Sequence, residues 1–263
     1  MRIISNIRRS YWNERKLNGE KTKVNVGDKF INSDNEAYTV THIDSCKEVY
    51  VEFTDGTVLK VTSIHAASGV RNYNSKTVHG VGFTGYGKYS KSTHEKLYFK
   101  WSSMLRRGYS EDYKIKKPTY KDVTVCDLWH NFQNFAEWAS SRADYIDGWE
   151  IDKDILIPNN KVYCPEACCF VPRVINCTIR SSSLKDKTKI PFRISAGRIQ
   201  YKILVFLDNS NKKTFYFRDI DEAYCTVVKF KTERVTALAE EFKSQLDPAV
   251  YLRLKNFKFE DYI

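Results

Sequence analysis

The stretch 149–176, WEIDKDILIPNNKVYCPEACCFVPRVIN, gathers the residues of this chain best equipped for chemistry. Asp152 and Asp154 alternate along a strand-like run, so their side chains are expected on one face. A turn, a returning strand and a segment carrying Asn176 follow. Folded back as ββα, that order brings Asn176 to the carboxylates. Carboxylate and amide oxygens are hard ligands, suited to Mg²⁺ or Mn²⁺ rather than zinc. A cation held this way, with a phosphate oxygen in its remaining sphere, stabilises the leaving group of phosphodiester cleavage. On spacing alone, a hairpin with solvent-facing acids explains the same residues. Zinc is the other metal to weigh, because Cys164, Cys168, Cys169 and Cys177 crowd the same stretch. They form no CxxC pair and no histidine follows, so packing suits Cys168 and Cys177 better.

The elements that must position these residues follow from periodicity and punctuation. EIDKDILI (150–157) predicts a strand, PNNK (158–161) a turn and VYC (162–164) a returning strand. Pro165 is placed to start a helix running to about Arg180, kinked or split at Pro172. Upstream, 95–107 puts Leu97, Trp101, Met104 and Leu105 on one helical face. Residues 127–143 do the same with Leu128, Trp129, Phe132, Phe135 and Trp138, and Asp127 is a natural cap or first-turn acid. These aromatic stripes are core, not a cofactor box. Between them KKPTYKD is a turn and VTVC a short strand.

Residues 1–23 are polar and basic, an arm. From Val24 to about Gly69 the period is two: YTVTHI, VYVEF and TVLKVTSI alternate, and TDGT (54–57) is a hairpin turn. This predicts a small, bent β-barrel-like module. Residues 70–93 are rich in Gly, Ser, Asn and Tyr, a linker. Within them GVGFTGYG (80–87) lacks the Lys-Ser/Thr ending of a P-loop, although its amides could meet a phosphate. After a basic linker at 181–191, RISAGRIQYKILVFLD and TFYFRD predict two or three strands with a turn at 209–213. An amphipathic helix follows at 221–244, led by Asp221 and Glu222, and Asp247-Pro248 opens a last short helix.

With 42% hydrophobic and 14% aromatic residues, 263 residues sustain a real core, which excludes global disorder. No apolar run reaches the length of a transmembrane helix, and the N-terminal stretch has no apolar signal region. Seven cysteines, several in apolar runs, predict reduced and mostly buried thiols in a cytosolic setting. The net charge is +11. Basic and acidic residues number 16 and 10 in 1–100, 7 and 8 in 101–150, and 20 and 14 in 151–263. Two basic lobes thus flank a neutral middle. Interleaved with Tyr, Phe and Trp, and without a basic amphipathic helix of the lipid-binding kind, this favours a nucleic acid over a membrane.

The run YFKWSSMLRRGYS…PTYKDVTVCDLWHNFQNFAEWA…GWEIDKDILIPNNKVYCPEACCFVPRVIN resembles the phage-encoded HNH homing endonucleases of the His-Me finger (ββα-metal) type. Its pattern is W-x-x-M-L-x-R-x-Y, V-x-x-C-x-x-W-x-x-F-x-x-F-x-x-W, D-K-D, then Y-x-P-E-x-C-x-F-V-P-x-x-I-N, over about 96–180. GVGFTGYGKYS and the small β module also look like the N-terminal part of such bacteriophage proteins. YKILVF…KTFYFRDIDEAYCTVVKFKTERV is similar to an APETALA-type DNA-binding domain, three strands for the major groove backed by one helix. The resemblance implies an α+β chain: an arm (1–23), a β module with linker (24–93), an HNH-like ββα core (94–180), and a basic linker with an APETALA-like domain (181–263).

It also implies roles. Asp152 matches the strand aspartate that binds the metal, and Asn176 the helix asparagine that completes the site. The histidine base of the group falls at Lys153, and the loop-bracing asparagine near Ala167. No histidine follows His130. Between two acids Lys153 suits charge stabilisation or phosphate binding, Asp154 a second ligand or weak base, and His130 a base reaching in from the neighbouring helix. Arg193, Arg198, Tyr201, Lys202, Lys212 and Lys213 are the expected groove or backbone contacts. The expectation is a monomeric, Mg²⁺- or Mn²⁺-dependent DNA endonuclease acting on double-stranded DNA in the cytoplasm of a bacterial host. The main alternative, which Lys153 and Ala167 favour, is a catalytically silent DNA-binding protein on that scaffold. A phage protein that binds a host protein is the third possibility.

Overall fold

The computed structural model describes residues 3–4, 24–179, 192–195, 198–206 and 212–259. It is an α+β chain of two compact units, one formed by 1–75 with 83–86 and the other by 76–82 with 87–263. No described helix is long and apolar enough to cross a membrane.

The first unit is a sheet of β1 (Ile3–Ile4), β2 (Lys29–Ile31), β3 (Ala37–Ser45), β4 (Glu48–Phe53) and β5 (Val58–Val61), in that order. Period-two alternation buries Tyr38, Val40, Val49, Val51 and Phe53 on one face. The arm expected over 1–23 contributes β1, parallel to β2; its other residues lie outside the described ones. The TDGT turn forms as expected: Phe53 N donates to Thr57 O, and Asp55 Oδ1 accepts from Thr57 N. The strand expected to run through TVLKVTSI stops at Val61. The Thr62 hydroxyl accepts from His65 N and opens a helical turn, α1 (Ser63–Ser68), which presses Ala66 and Ala67 onto the sheet. Tyr38 ties the two, its hydroxyl donating to Ala66 O (2.8 Å) and accepting from Val70 N (3.1 Å).

The second unit begins its regular structure with α2 (Glu95–Tyr109), α3 (Glu111–Lys116), a 3-10 turn at Pro118–Tyr120, and β6 (Thr124–Val125). The helix expected over 127–143 divides into a 3-10 turn, Asp127–His130, and α4 (Phe132–Ser141). Asn131, not Asp127, caps α4, its Oδ1 accepting from Gln133 N at 2.9 Å. The break turns Leu128 outward, 54% exposed, against expectation, while Trp129, Phe132 and Phe135 are buried. Helices α2 and α4 meet through Trp101 and Phe132 (ring centroids 5.3 Å), and Trp101 Nε1 donates to Trp129 O at 2.7 Å. GVGFTGYG owes glycines to packing: a Cβ on Gly82 would collide with Leu105 and Trp101, one on Gly87 with Gln133.

Next come β7 (Glu150–Asp152), β8 (Val162–Tyr163), β9 (Cys169–Val171) and α5 (Arg173–Ile179). Asp144, buried, accepts both Arg142 Nε (2.6 Å) and Nη2 (2.9 Å), and also Phe170 N of β9 (3.1 Å). The C-terminal part is the three-stranded antiparallel sheet β10 (Phe192–Ser195), β11 (Arg198–Phe206) and β12 (Lys212–Phe217), then α6 (Ile220–Glu241) and α7 (Pro248–Lys255). The linker expected at 181–191 and most of the turn before Lys212 lie outside the described residues. Ala223 and Val227 of α6 pack on Ile203 of the sheet. Val235, Leu238 and Ala239, further along, join the central core with Val250 and Leu254 of α7. One helix thus bridges sheet and core.

Gly82→Ala is expected to destabilise the second unit by about 1–3 kcal/mol, because Leu105 and Trp101 must shift in a filled core. Chemical denaturation followed by tryptophan fluorescence checks it; an unchanged midpoint would contradict this packing.

Candidate functional site

Strand β7 pairs antiparallel with β9, Ile151 opposite Phe170 and Asp152 opposite Cys169. A long loop joins them and α5 follows at once, in the order strand, strand, helix. Three expectations need correction. The strand over 150–157 ends at Asp152. The returning segment 162–164 does not pair with it; β8 lies parallel to β6, Val125 opposite Tyr163. No helix starts at Pro165: CFV (169–171), fully buried and rich in strand formers, is the second strand, and Pro172 stands before the helix rather than inside it. The Pro172 carbonyl accepts from Ile175 N and Asn176 N, so it forms the helix entrance.

Asp152 explains where the strand stops. Its Oδ1 accepts from Asp154 N (2.7 Å) and Ile155 N (2.9 Å), which folds the backbone over and drives Ile155 into the core. Asp154 therefore does not share a strand face with Asp152, as expected from alternation; it lies past the bend. Lys153 is 6% exposed, and its ammonium donates to Asp154 Oδ1 (2.6 Å) and Asn160 O, with Nζ 6.0 Å from the Tyr163 ring centre. Burial pushes the Tyr163 phenol up, so it stays neutral and accepts from Arg107 Nη1 at 3.2 Å.

The loop is braced by Asn160. Its Nδ2 donates to Lys153 O (3.0 Å) and Val162 O (2.6 Å), and its Oδ1 accepts from Val162 N (3.0 Å). Ala167, near which the resemblance puts a bracing asparagine, is buried. The signal was in the sequence: an asparagine just before a short strand, suited to bonding its own backbone.

Asn176, 1% exposed, donates from Nδ2 to Glu150 Oε2 at 2.7 Å. A carboxylate only accepts, so this bond assigns the amide orientation. Asn176 Oδ1 is then buried without a hydrogen-bond partner. Glu150 and Asp152, two apart on β7, share a face, which Asn176 meets from α5. Glu150 was not among the expected site residues; it becomes visible only once β7 and α5 pack. Arg173 Nε stands 3.8 Å from Glu150 Oε1. Among the described residues no three His, Cys, Asp or Glu side chains converge as a metal cluster. Amide and carboxylate oxygens are the donor types that suit a hard cation.

His130, expected to reach the site, is engaged elsewhere. Its Nε2 lies 2.9 Å from the Tyr109 hydroxyl and its Nδ1 3.6 Å from Asp127 Oδ1. Of the expected DNA contacts, Lys202 is exposed on β11, directly opposite Tyr216, which is exposed as well. Tyr201 faces the other way and packs with Ile203 against α6, so it is not on the open face. Arg193, Arg198, Lys212 and Lys213 lie in these strands by backbone, with side chains outside the described residues. No family model matches the chain, and no curated protein and no solved structure matches it significantly.

The thiols divide by burial. Cys168 and Cys169 are buried, and burial, aided by the nearby Asp152 charge, pushes both thiols well up. Cys46, Cys177 and Cys225 are exposed, which corrects the expectation that Cys177 packs. A disulfide reagent at neutral pH is expected to label these three rapidly in the native protein. Cys168 and Cys169 should label only after denaturation, and peptide mapping that finds them modified first would overturn the packing.

Proposed function

We propose that this chain is a divalent-metal-dependent DNA endonuclease of the phage HNH homing kind, hydrolysing or nicking duplex DNA. In this reading β7, β9 and α5 are its ββα core, the first unit is a small barrel-like module, and the β10–β12 sheet with α6 is an APETALA-like binding domain. The observation that carries it is Asn176 Oδ1, a buried oxygen without a protein partner, on the helix that meets β7 through the Asn176–Glu150 bond. Leaving such an acceptor unsatisfied costs about 1–3 kcal/mol, so a ligand there is worth that much to the fold. Asp152 and Asn176 would hold Mg²⁺ or Mn²⁺. Such an ion, when bound, supplies charge for a scissile phosphate and lowers the pKa of water. Glu150 orients the amide, Asn160 keeps the loop in place, and Lys202 with Tyr216 offers an exposed basic and aromatic pair to the duplex. The partner is double-stranded DNA, held chiefly through phosphates.

A second reading, a DNA-binding protein that does not cut, is favoured by Lys153. Its ammonium is spent on Asp154 and Asn160, and His130 on Tyr109 and Asp127. Neither side chain is placed to take a proton from water.

Supercoiled plasmid with Mg²⁺ or Mn²⁺ separates the two. Asp152→Asn is the informative variant, because it keeps the oxygen that caps Asp154 and Ile155 while removing the charge. Relaxation that EDTA abolishes and Asp152→Asn lowers about 100-fold is expected for a metal nuclease. Intact plasmid from protein that still retards DNA on a gel would assign it to binding alone. DNA affinity that does not fall between about 50 and 200 mM salt would sink both.

A further inference from the structure

The first unit carries a groove that the proposed nuclease reading does not use. Its volume is about 870 Å³, and it is lined by β5, the segment that follows α1, and Tyr86. The lining contains no acidic residue; its basic members are Lys47, Lys60, His65 and Arg71. Lys60 is bonded to Glu48, and Arg71 stands 3.8 Å from Asp34, both pairs at the surface where a phosphate can compete. Two aromatic rings project beside them. Tyr73 is 40% exposed and Tyr86 84%, and they meet edge to face with centroids 6.0 Å apart.

Single exposed aromatics are ordinary surface features. A pair set in a basic concavity is different, because it joins the two contacts that an unpaired nucleotide needs, a stacking plane and a phosphate partner. The walls are held in place beforehand. Gly85 N donates to Tyr73 O (2.8 Å), which sets Tyr86 beside Tyr73. Asn74 Nδ2 donates to Thr57 Oγ1 (3.1 Å) and Asn32 Nδ2 to Val70 O (3.1 Å), fixing the segment after α1 to the rest of the module. Asp55, at the β4–β5 turn, is occupied by Asn72 Nδ2 and Thr57 N.

We propose that this groove binds a single-stranded stretch of nucleic acid, with bases stacked on Tyr86 and Tyr73 and phosphates at Lys47 and Arg71. Rings of this kind stack on bases that are free of their neighbours, which a duplex does not offer. The site is separate from the ββα core, lies in the other unit, and needs no divalent ion.

The test uses the full chain in EDTA, so that the outcome is independent of cleavage. Fluorescence anisotropy is read with a labelled oligothymidylate of about 15 nucleotides and with a duplex of similar length, at about 150 mM salt. Tyr86→Ala is expected to weaken oligothymidylate binding about tenfold, Tyr86→Phe to keep it within about twofold, and both to leave the duplex affinity unchanged. Lys47→Glu should weaken the single strand and flatten its salt dependence. The proposal is overturned if oligothymidylate does not bind, or if Tyr86→Ala binds it as the parent does. Equal losses for single strand and duplex would overturn it too. Tyr86-dependent binding of an acidic peptide in place of the oligonucleotide would overturn it in favour of strand addition at β5.

Discussion

The carboxylate of Asp144 is the constraint around which the second unit is arranged. It is buried, accepts two bonds from the Arg142 fork, and accepts the amide of Phe170. The same guanidinium reaches Asp247 at 3.3 Å, the residue that caps α7 by accepting from Ala249 N. One paired charge therefore registers the end of α4, the second strand of the ββα segment and the last described helix. A buried acid is tolerated only when its oxygens are filled, and breaking such a pair costs about 3–5 kcal/mol. Because β9 is held this way, β7 and the face with Glu150 and Asp152 are placed as well.

The polar residues of the site are also its architecture. Asp152 bends the chain, Asn160 closes the loop, and Lys153 is drawn inward by Asp154 and the Asn160 carbonyl. In this hairpin each group that offers chemistry already has a structural bond. Asn176 Oδ1 is the exception, and that exception gives the segment its functional interest. The amide is turned by a glutamate, not by chance, so the oxygen faces inward by construction.

Helix α6 makes the C-terminal sheet continuous with this core. Its first half serves the sheet through Ala223 and Val227, its second half the core through Val235 and Leu238. Between them Lys231 is buried, donating to Ile179 O (3.1 Å) at the end of α5 and lying 4.6 Å from the Phe259 ring centre. A charge at that position survives burial because a helix-end carbonyl and an aromatic face receive it. The helix that supports the sheet is thereby bonded to the helix that carries Asn176.

Local features were legible in the order of residues alone. Period two from Val24, expected to about Gly69 and realised to Val61, the TDGT turn, the Leu97–Trp101–Leu105 stripe and the amphipathic helix expected over 221–244, which forms over Ile220–Glu241, follow from spacing and residue type. Asp152 and Asn176 were legible as oxygen donors for the same reason. Tertiary structure decided which segments pair. Periodicity cannot distinguish VYC from CFV as the partner of β7; burial of Phe170 and the Asp144 bond to its amide select CFV. Nor does it tell that His130 turns to Tyr109, that Tyr201 packs inward, or that Glu150 orients Asn176. Those outcomes depend on contacts between residues distant in sequence, whose energies no local pattern contains.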